Sequence, residues 1–228
     1  MRKLLYILLL TAFYPVATLS QDVDIQPVKF KKIRKAIKKK KSEYYYPVLF
    51  RRYIELDTSL TVKDFRYLYY GFSFQKAYDP YGTPRLRDSL ISYLQRPEPL
   101  RAEMEVAARL AGELLRESPF RLRETFIAAV SYEIAGNPKM SSVYFDFFSK
   151  QVEAIMSGGD GLNKQTAFVV IYIPDEYEIL EVLGFRSDGR QELVDTWDVI
   201  YLEENAYGIE TLYFDVSRML EVGFGSDK

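Results

Sequence analysis

The sequence predicts an α+β protein, helical through its middle and β-rich in its last third. Three observations predict it. Apolar residues recur at helical spacing from about Tyr44 to Met156. A Gly-rich break, Ser157-Gly158-Gly159-Asp160-Gly161, ends that pattern. Beyond it lie a continuous apolar run, Phe168 to Ile173, and a hairpin dipeptide, Asp188-Gly189. Helices followed by strands define the class.

The chain opens on Arg2 and Lys3, a short apolar run from Leu4 to Phe13, and a Tyr14-Pro15 break. Thr18 and Ser20 are small residues suited to the −3 and −1 positions of a cleavage site before Gln21. This is the layout of a secretory signal peptide, with an apolar run too short for a stable membrane span. Residues 21–28 read as a linker. Lys29 to Lys41 then holds nine Lys or Arg and no acid, with Phe30, Ile33 and Ile37 at i, i+3, i+7. The 21–43 segment is thus expected to be a linker and basic arm, a solvated like-charge run or a binding face.

The next elements follow from local chemistry. Tyr44 to Asp57 reads as a helix that tolerates Pro47 in its first turn. Thr61 and Asp64 have capping-box spacing ahead of a helix from Val62 to Lys76. Asp79 to Pro84 is a turn. Leu86 to Leu94 is a short helix stopped by Pro97 and Pro99. Leu100 to Arg116 is rich in Ala, Leu, Glu and Arg, good helix formers. Ser118-Pro119 separates it from Arg121 to Ala135, which Gly136-Asn137-Pro138 ends, and Met140 to Met156 is the last long helix. Short breaks suggest antiparallel hairpins. The stretch from Ala128 to Phe148 loosely resembles one tetratricopeptide unit, without a second copy at a fixed period.

In the last third, Phe168–Ile173, Glu178–Arg186, Gln191–Leu202 and Gly208–Val216 are the expected strands. They would form a four-strand antiparallel meander, turning at Asp188-Gly189, with one face on the Met140–Met156 helix and Trp197 packed at the sheet. The expected organisation is a signal peptide over 1–20, the arm over 21–43, a helical part over 44–157 and a β-rich part over 158–228. The last two are expected to pack as one domain.

Composition excludes much chemistry. The chain has no Cys and no His. Disulfides, lipid attachment behind the leader, Ser-His-Asp and Cys-His catalysis, and His- or Cys-ligated metals are all ruled out. No metal site and no cofactor is expected, since P-loop, G-x-S-x-G, EF-hand and G-x-G-x-x-G patterns are missing. The net charge of −1 conceals an asymmetry: residues 1–41 carry 11 basic and two acidic side chains, the remainder 20 basic and 30 acidic.

Four groups of residues are candidates for function. Amphipathic rings at Tyr67, Tyr69, Tyr70, Tyr78 and Tyr81 suit sugar stacking or a protein interface, and equally suit ordinary helix packing. Lys31, Lys32, Arg34, Lys35, Lys38, Lys39, Lys40 and Lys41 suit an anionic membrane or polymer surface; no specific nucleic-acid partner is expected. Asp160 in the Gly-rich loop, with Asp175 and Glu176, offers carboxylates for glycan hydrolysis, against the simpler reading of charged turns. Ser73-Phe-Gln-Lys76 matches S-x-x-K, but its companion motifs are missing.

The runs TVKDFRYLYYGFSFQKAYDPYG (Thr61 to Gly82) and SGGDGLNKQTAFVVIYIPDEYEILEVLGF with YGIETLYFDVSRML resemble an uncharacterised family of exported bacterial proteins, domain of unknown function 4919. The resemblance is read from about Tyr44 onward, leaving the basic arm outside. It implies a signal peptide and a helical-then-β layout, and no activity or residue role. The expected function is a non-enzymatic binding domain of the cell envelope, its partner an envelope protein or glycan. The alternatives are adsorption to an anionic surface through the arm and carboxylate-dependent glycan hydrolysis. Export to the periplasm or beyond is expected; the basic run behind the leader makes inner-membrane retention the alternative.

Overall fold

The computed structural model describes residues 25–96 and 98–224. The expected signal peptide and its cleavage site lie outside these residues. The described residues divide into two compact units: 29–154, and 155–224 together with 25–28.

The first unit is helical. Its elements are α1 (Phe30–Lys38), α2 (Tyr46–Ile54), α3 (Val62–Phe72), α4 (Arg87–Leu94), α5 (Arg101–Glu117), α6 (Leu122–Ile134) and α7 (Pro138–Met156), the last two residues of α7 counting with the other unit. The capping box forms as its spacing predicts. The Asp64 amide donates to Thr61 Oγ1 at 3.1 Å, and the Thr61 amide donates to Asp64 Oδ2 at 2.9 Å. Two otherwise unsatisfied N–H groups are thereby paired at the positive end of α3.

Two sets of buried side chains hold this unit. One is aromatic: Tyr53 lies 4.5 Å from Phe120 and Phe65 lies 5.0 Å from Phe147, ring centre to ring centre. Phe120 keeps a left-handed backbone, φ 63°, unusual for a bulky residue. Its fully buried ring and the bond from Gln151 Nε2 to its carbonyl, 2.7 Å, hold it there. The other set joins α4, α5, α6 and α7 through Leu90, Met104, Ala107, Ala111, Leu114, Ala128, Ala129 and Tyr144. Its alanines let α5 and α6 pack closely.

The second unit is β-rich. It contains β1 (Phe168–Val169), α8 (Ile173–Val182), β2 (Ser187–Val194), β3 (Trp197–Leu202), β4 (Thr211–Asp215) and α9 (Ser217–Gly223). The strand order is β1-β4-β3-β2. β2–β3 and β3–β4 are antiparallel, but β1 runs parallel to β4, with Phe168 opposite Phe214. The sheet is therefore mixed, not the expected antiparallel meander. β4 alternates as a half-buried strand should, with Leu212 and Phe214 inward.

Two local features explain the difference. The apolar run at Phe168 pairs for only two residues before Pro174 starts a helix. Pro lacks the N–H that a strand needs and fits the first helical turn, where its fixed φ is already helical. The expected strand Glu178–Arg186 is consequently the body of α8 and its C-terminal turn, where Gly184 takes φ +76°. Asp188-Gly189 is likewise no hairpin turn. It forms a bulge inside β2, Gly189 at φ +92°, where pairing shifts between Ser187 and Gln191. The hairpin turns at Asp195-Thr196, and Asp195 accepts the left-handed conformation, φ 58°. The expected strand Gln191–Leu202 is accordingly two strands.

Candidate functional site

The basic segment is the feature whose folded state differs most from a solvated arm. Phe30, Ile33 and Ile37 fall on one stripe of α1. Ile33 and Ile37 are 5% and 2% exposed. Phe30 packs edge-on against Tyr70 at 5.8 Å and Phe74 at 6.1 Å. The Arg34 guanidinium lies over the Phe74 ring, 5.6 Å from its centre. Burying two isoleucines contributes roughly 3–6 kcal/mol, enough to fasten a nine-residue helix that would not persist alone.

That fastening works against the helix's own charge. No acidic residue lies in its first turn and its N-cap side chain makes no capping bond. Lys31–Lys35, Lys35–Lys39 and Arg34–Lys38 are like-charge pairs at i, i+4, each unfavourable by roughly 0.2–0.5 kcal/mol. Lys29, Lys31, Lys32, Arg34, Lys35, Lys38, Lys39, Lys40 and Lys41 are all exposed. None of the nine has an ion-pair partner among the described residues. Lys32, Lys35 and Lys39, with Ala36, Ser42 and Glu43, line a shallow open groove. The positive face is thus held rigidly and not neutralised internally.

The tyrosines do not form the exposed face considered above. Tyr69 and Tyr70 are fully buried, and Tyr67 and Tyr78 are buried too. Tyr67 stacks on Tyr44 at 3.7 Å with planes 4° apart, and Tyr78 meets Phe72 edge-on at 5.7 Å. Only Tyr81 of the five is exposed, at 49%. Their rings serve as core because α3 is covered on more than one side. Ser73, buried at the end of α3, donates from Oγ to the Tyr70 carbonyl at 2.8 Å, whereas Lys76 is exposed. A hydroxyl spent on a backbone carbonyl suits a helix end, not a nucleophile.

The Gly-rich loop is closed on itself. Gly158 and Gly159 donate to Ile155 and Met156, while the Asp160 and Gly161 amides both donate to the Thr166 carbonyl. No backbone N–H from 158 to 161 is left to cradle an anion. Asp160 accepts from the Leu162 amide at 2.9 Å and from the Thr166 hydroxyl, so it braces the turn.

The other two carboxylates meet a third, unanticipated one. Glu176 is 0% exposed and Asp175 1%. Asp198, on β3 and 7% exposed, lies within hydrogen-bonding reach of Glu176. Gln191 Nε2 on β2 donates to Glu176 Oε2 at 3.4 Å, and the Tyr177 hydroxyl donates to Gln191 Oε1. Burial first, then Asp198 and Asp175, push the Glu176 carboxyl up to about 10. Burial also raises Asp198. The signal for Asp198 was a lone acid in an otherwise apolar or aromatic strand, Trp197-Asp198-Val199-Ile200-Tyr201-Leu202. A buried pair does not make the open cleft of two carboxyls that glycan hydrolysis requires. Among the described residues, no group of three acidic side chains is placed to hold a metal ion. No helix there is long and apolar enough to cross a membrane.

Fold and site together define a mixed-sheet α+β protein carrying a fixed cationic helix. The chain belongs to the family described as domain of unknown function DUF4919, whose model matches residues 31–223. The match begins at Lys31 and so takes in the basic helix, which the resemblance read from the sequence had left out. No curated protein and no solved structure matches the chain.

Proposed function

We propose that this is an exported, non-enzymatic binding module that adsorbs to an anionic membrane surface of the cell envelope through the basic face of α1. One observation carries the reading: the apolar stripe of α1 is used up in folding, leaving nine cations without an ion-pair partner among the described residues, five of them on the helix that Ile33 and Ile37 anchor and four flanking it. A basic amphipathic helix normally binds membranes by laying its apolar face among the lipids. Here that face is occupied by Tyr70 and Phe74, so adsorption is electrostatic and stays at headgroup depth. The likeness of Ala128 to Phe148 to a tetratricopeptide unit fits a binding role as well.

The test is sedimentation of the full chain with vesicles rich in phosphatidylglycerol and, separately, with pure phosphatidylcholine vesicles. Binding to the first and not the second supports the reading. Equal binding to both, or to neither at low salt, refutes it.

A further inference from the structure

The strongest unexplained feature lies in the β-rich unit. Glu176 Oε1 is buried and receives no hydrogen bond, although its sister oxygen accepts from Gln191. A carboxylate oxygen cannot accept from another carboxylate, so two ionised groups at Glu176 and Asp198 would leave this atom desolvated beside a like charge. Each condition alone is costly in a buried site. A proton between the carboxyls removes both, turning the orphan acceptor into an O–H donor toward Asp198.

Among the described residues, no cation acts on Glu176 or Asp198 to offer another remedy. On its own helix Glu176 has Asp175 and Tyr177 beside it. From β3 it faces Asp198, and from β2 the neutral Gln191. The charged groups flanking Gln191 are engaged elsewhere. Arg190 binds Asp188 at 2.6 Å and covers the Tyr201 ring at 4.4 Å, while Glu192 accepts from the Tyr201 hydroxyl at 3.3 Å. The charged groups acting on Glu176 are acids, and each disfavours its ionised form, against which stands only the long 3.4 Å bond from Gln191.

We propose that Glu176 and Asp198 share one proton at neutral pH, and that this proton clasps the first turn of α8 to the β2–β3 hairpin. Gln191 completes the clasp and Tyr177 orients it through the Gln191 carbonyl. The inference stands apart from membrane adsorption, since it concerns different residues and a different measurement.

The folded pair retains a proton that an unfolded glutamate releases at its ordinary value. The clasp's contribution is therefore complete in mild acid and declines as pH rises toward about 10. Across that interval the folding equilibrium constant falls by up to about tenfold per pH unit. Denaturant unfolding of the full chain between pH 5 and pH 9 reads this directly. The wild-type midpoint should fall steadily, and Glu176→Gln, whose amide donates to Asp198 without a proton to lose, should flatten the curve. Parallel curves for the two proteins would overturn the proposal. A wild-type measurement covers the case in which the variant does not fold. At pH 7 ordinary carboxyls are ionised, so the infrared spectrum should retain a protonated-carboxyl stretch that vanishes in strong alkali. A spectrum at pH 7 without that band would equally overturn it.

Discussion

Phe30 meets Tyr70 edge-on, ring centres 5.8 Å apart, and this contact ties the basic helix to a fully buried residue of α3. Behind it, Ile37 and Tyr46 close over Gly71. A Cβ added at Gly71 would stand 3.1 Å from the Tyr46 ring and 3.2 Å from the Ile37 methyl. The cations of α1 therefore belong to a fixed surface, and their spacing is set by the fold.

Ile37→Ala tests whether α1 is integral. Removing a 2% exposed isoleucine should cost about 2–4 kcal/mol, read as a lower midpoint in denaturant unfolding. A solvated tail would lose nothing measurable.

Gly71→Ala sets two effects against each other. Alanine gains about 1 kcal/mol of helix propensity, while overpacking against Tyr46 and Ile37 costs about 1–3 kcal/mol. The close approach should win, so thermal unfolding should occur at a lower temperature than in wild type.

The double change Tyr69→Ala with Tyr70→Ala should act on stability. Both rings are fully buried, and losing each should cost about 3–5 kcal/mol, as for other large aromatic residues. Together they should leave the helical unit largely unfolded by circular dichroism, with any loss of binding following from that. A folded double variant would show that these rings are dispensable to the core.

Export predicts a mature chain beginning at Gln21. Mass spectrometry of the protein recovered from a bacterial host should show loss of residues 1–20. An intact N-terminus in the membrane fraction would favour retention by the leader.

Much of the helical unit was legible because each signal was local. The Thr61–Asp64 box, the Pro47 first turn and the Gly136-Asn137-Pro138 break act within a few residues and need no distant partner. The β-rich unit was less legible because its outcome depends on distant pairing. Phe168–Ile173 has strand composition throughout, yet only Phe168 and Val169 find β4, and Pro174 commits the next residues to a helix. Asp188-Gly189 suits both a turn and a bulge, and the pairing of Val194 with Trp197 decides between them. The basic segment carries two signals, a like-charge run and the apolar spacing of Phe30, Ile33 and Ile37, and the burial of Ile33 and Ile37 decides its fold. Asp198 was missed because its partner Glu176 is 22 positions away, on an element expected to be something else.

The most direct test of the central claim is vesicle binding across a salt series, comparing wild type with Lys32→Gln, Lys35→Gln and Lys39→Gln combined. These three side chains are exposed and line the groove, so the fold should survive, as the unfolding midpoint will verify. Each lysine near an anionic surface contributes about 1 kcal/mol, so the triple change should weaken binding by about two orders of magnitude at low salt. Wild-type binding should itself vanish toward 1 M salt, where screening shortens to about 3 Å. Binding that ignores salt, or a triple variant that binds like wild type, would contradict the account.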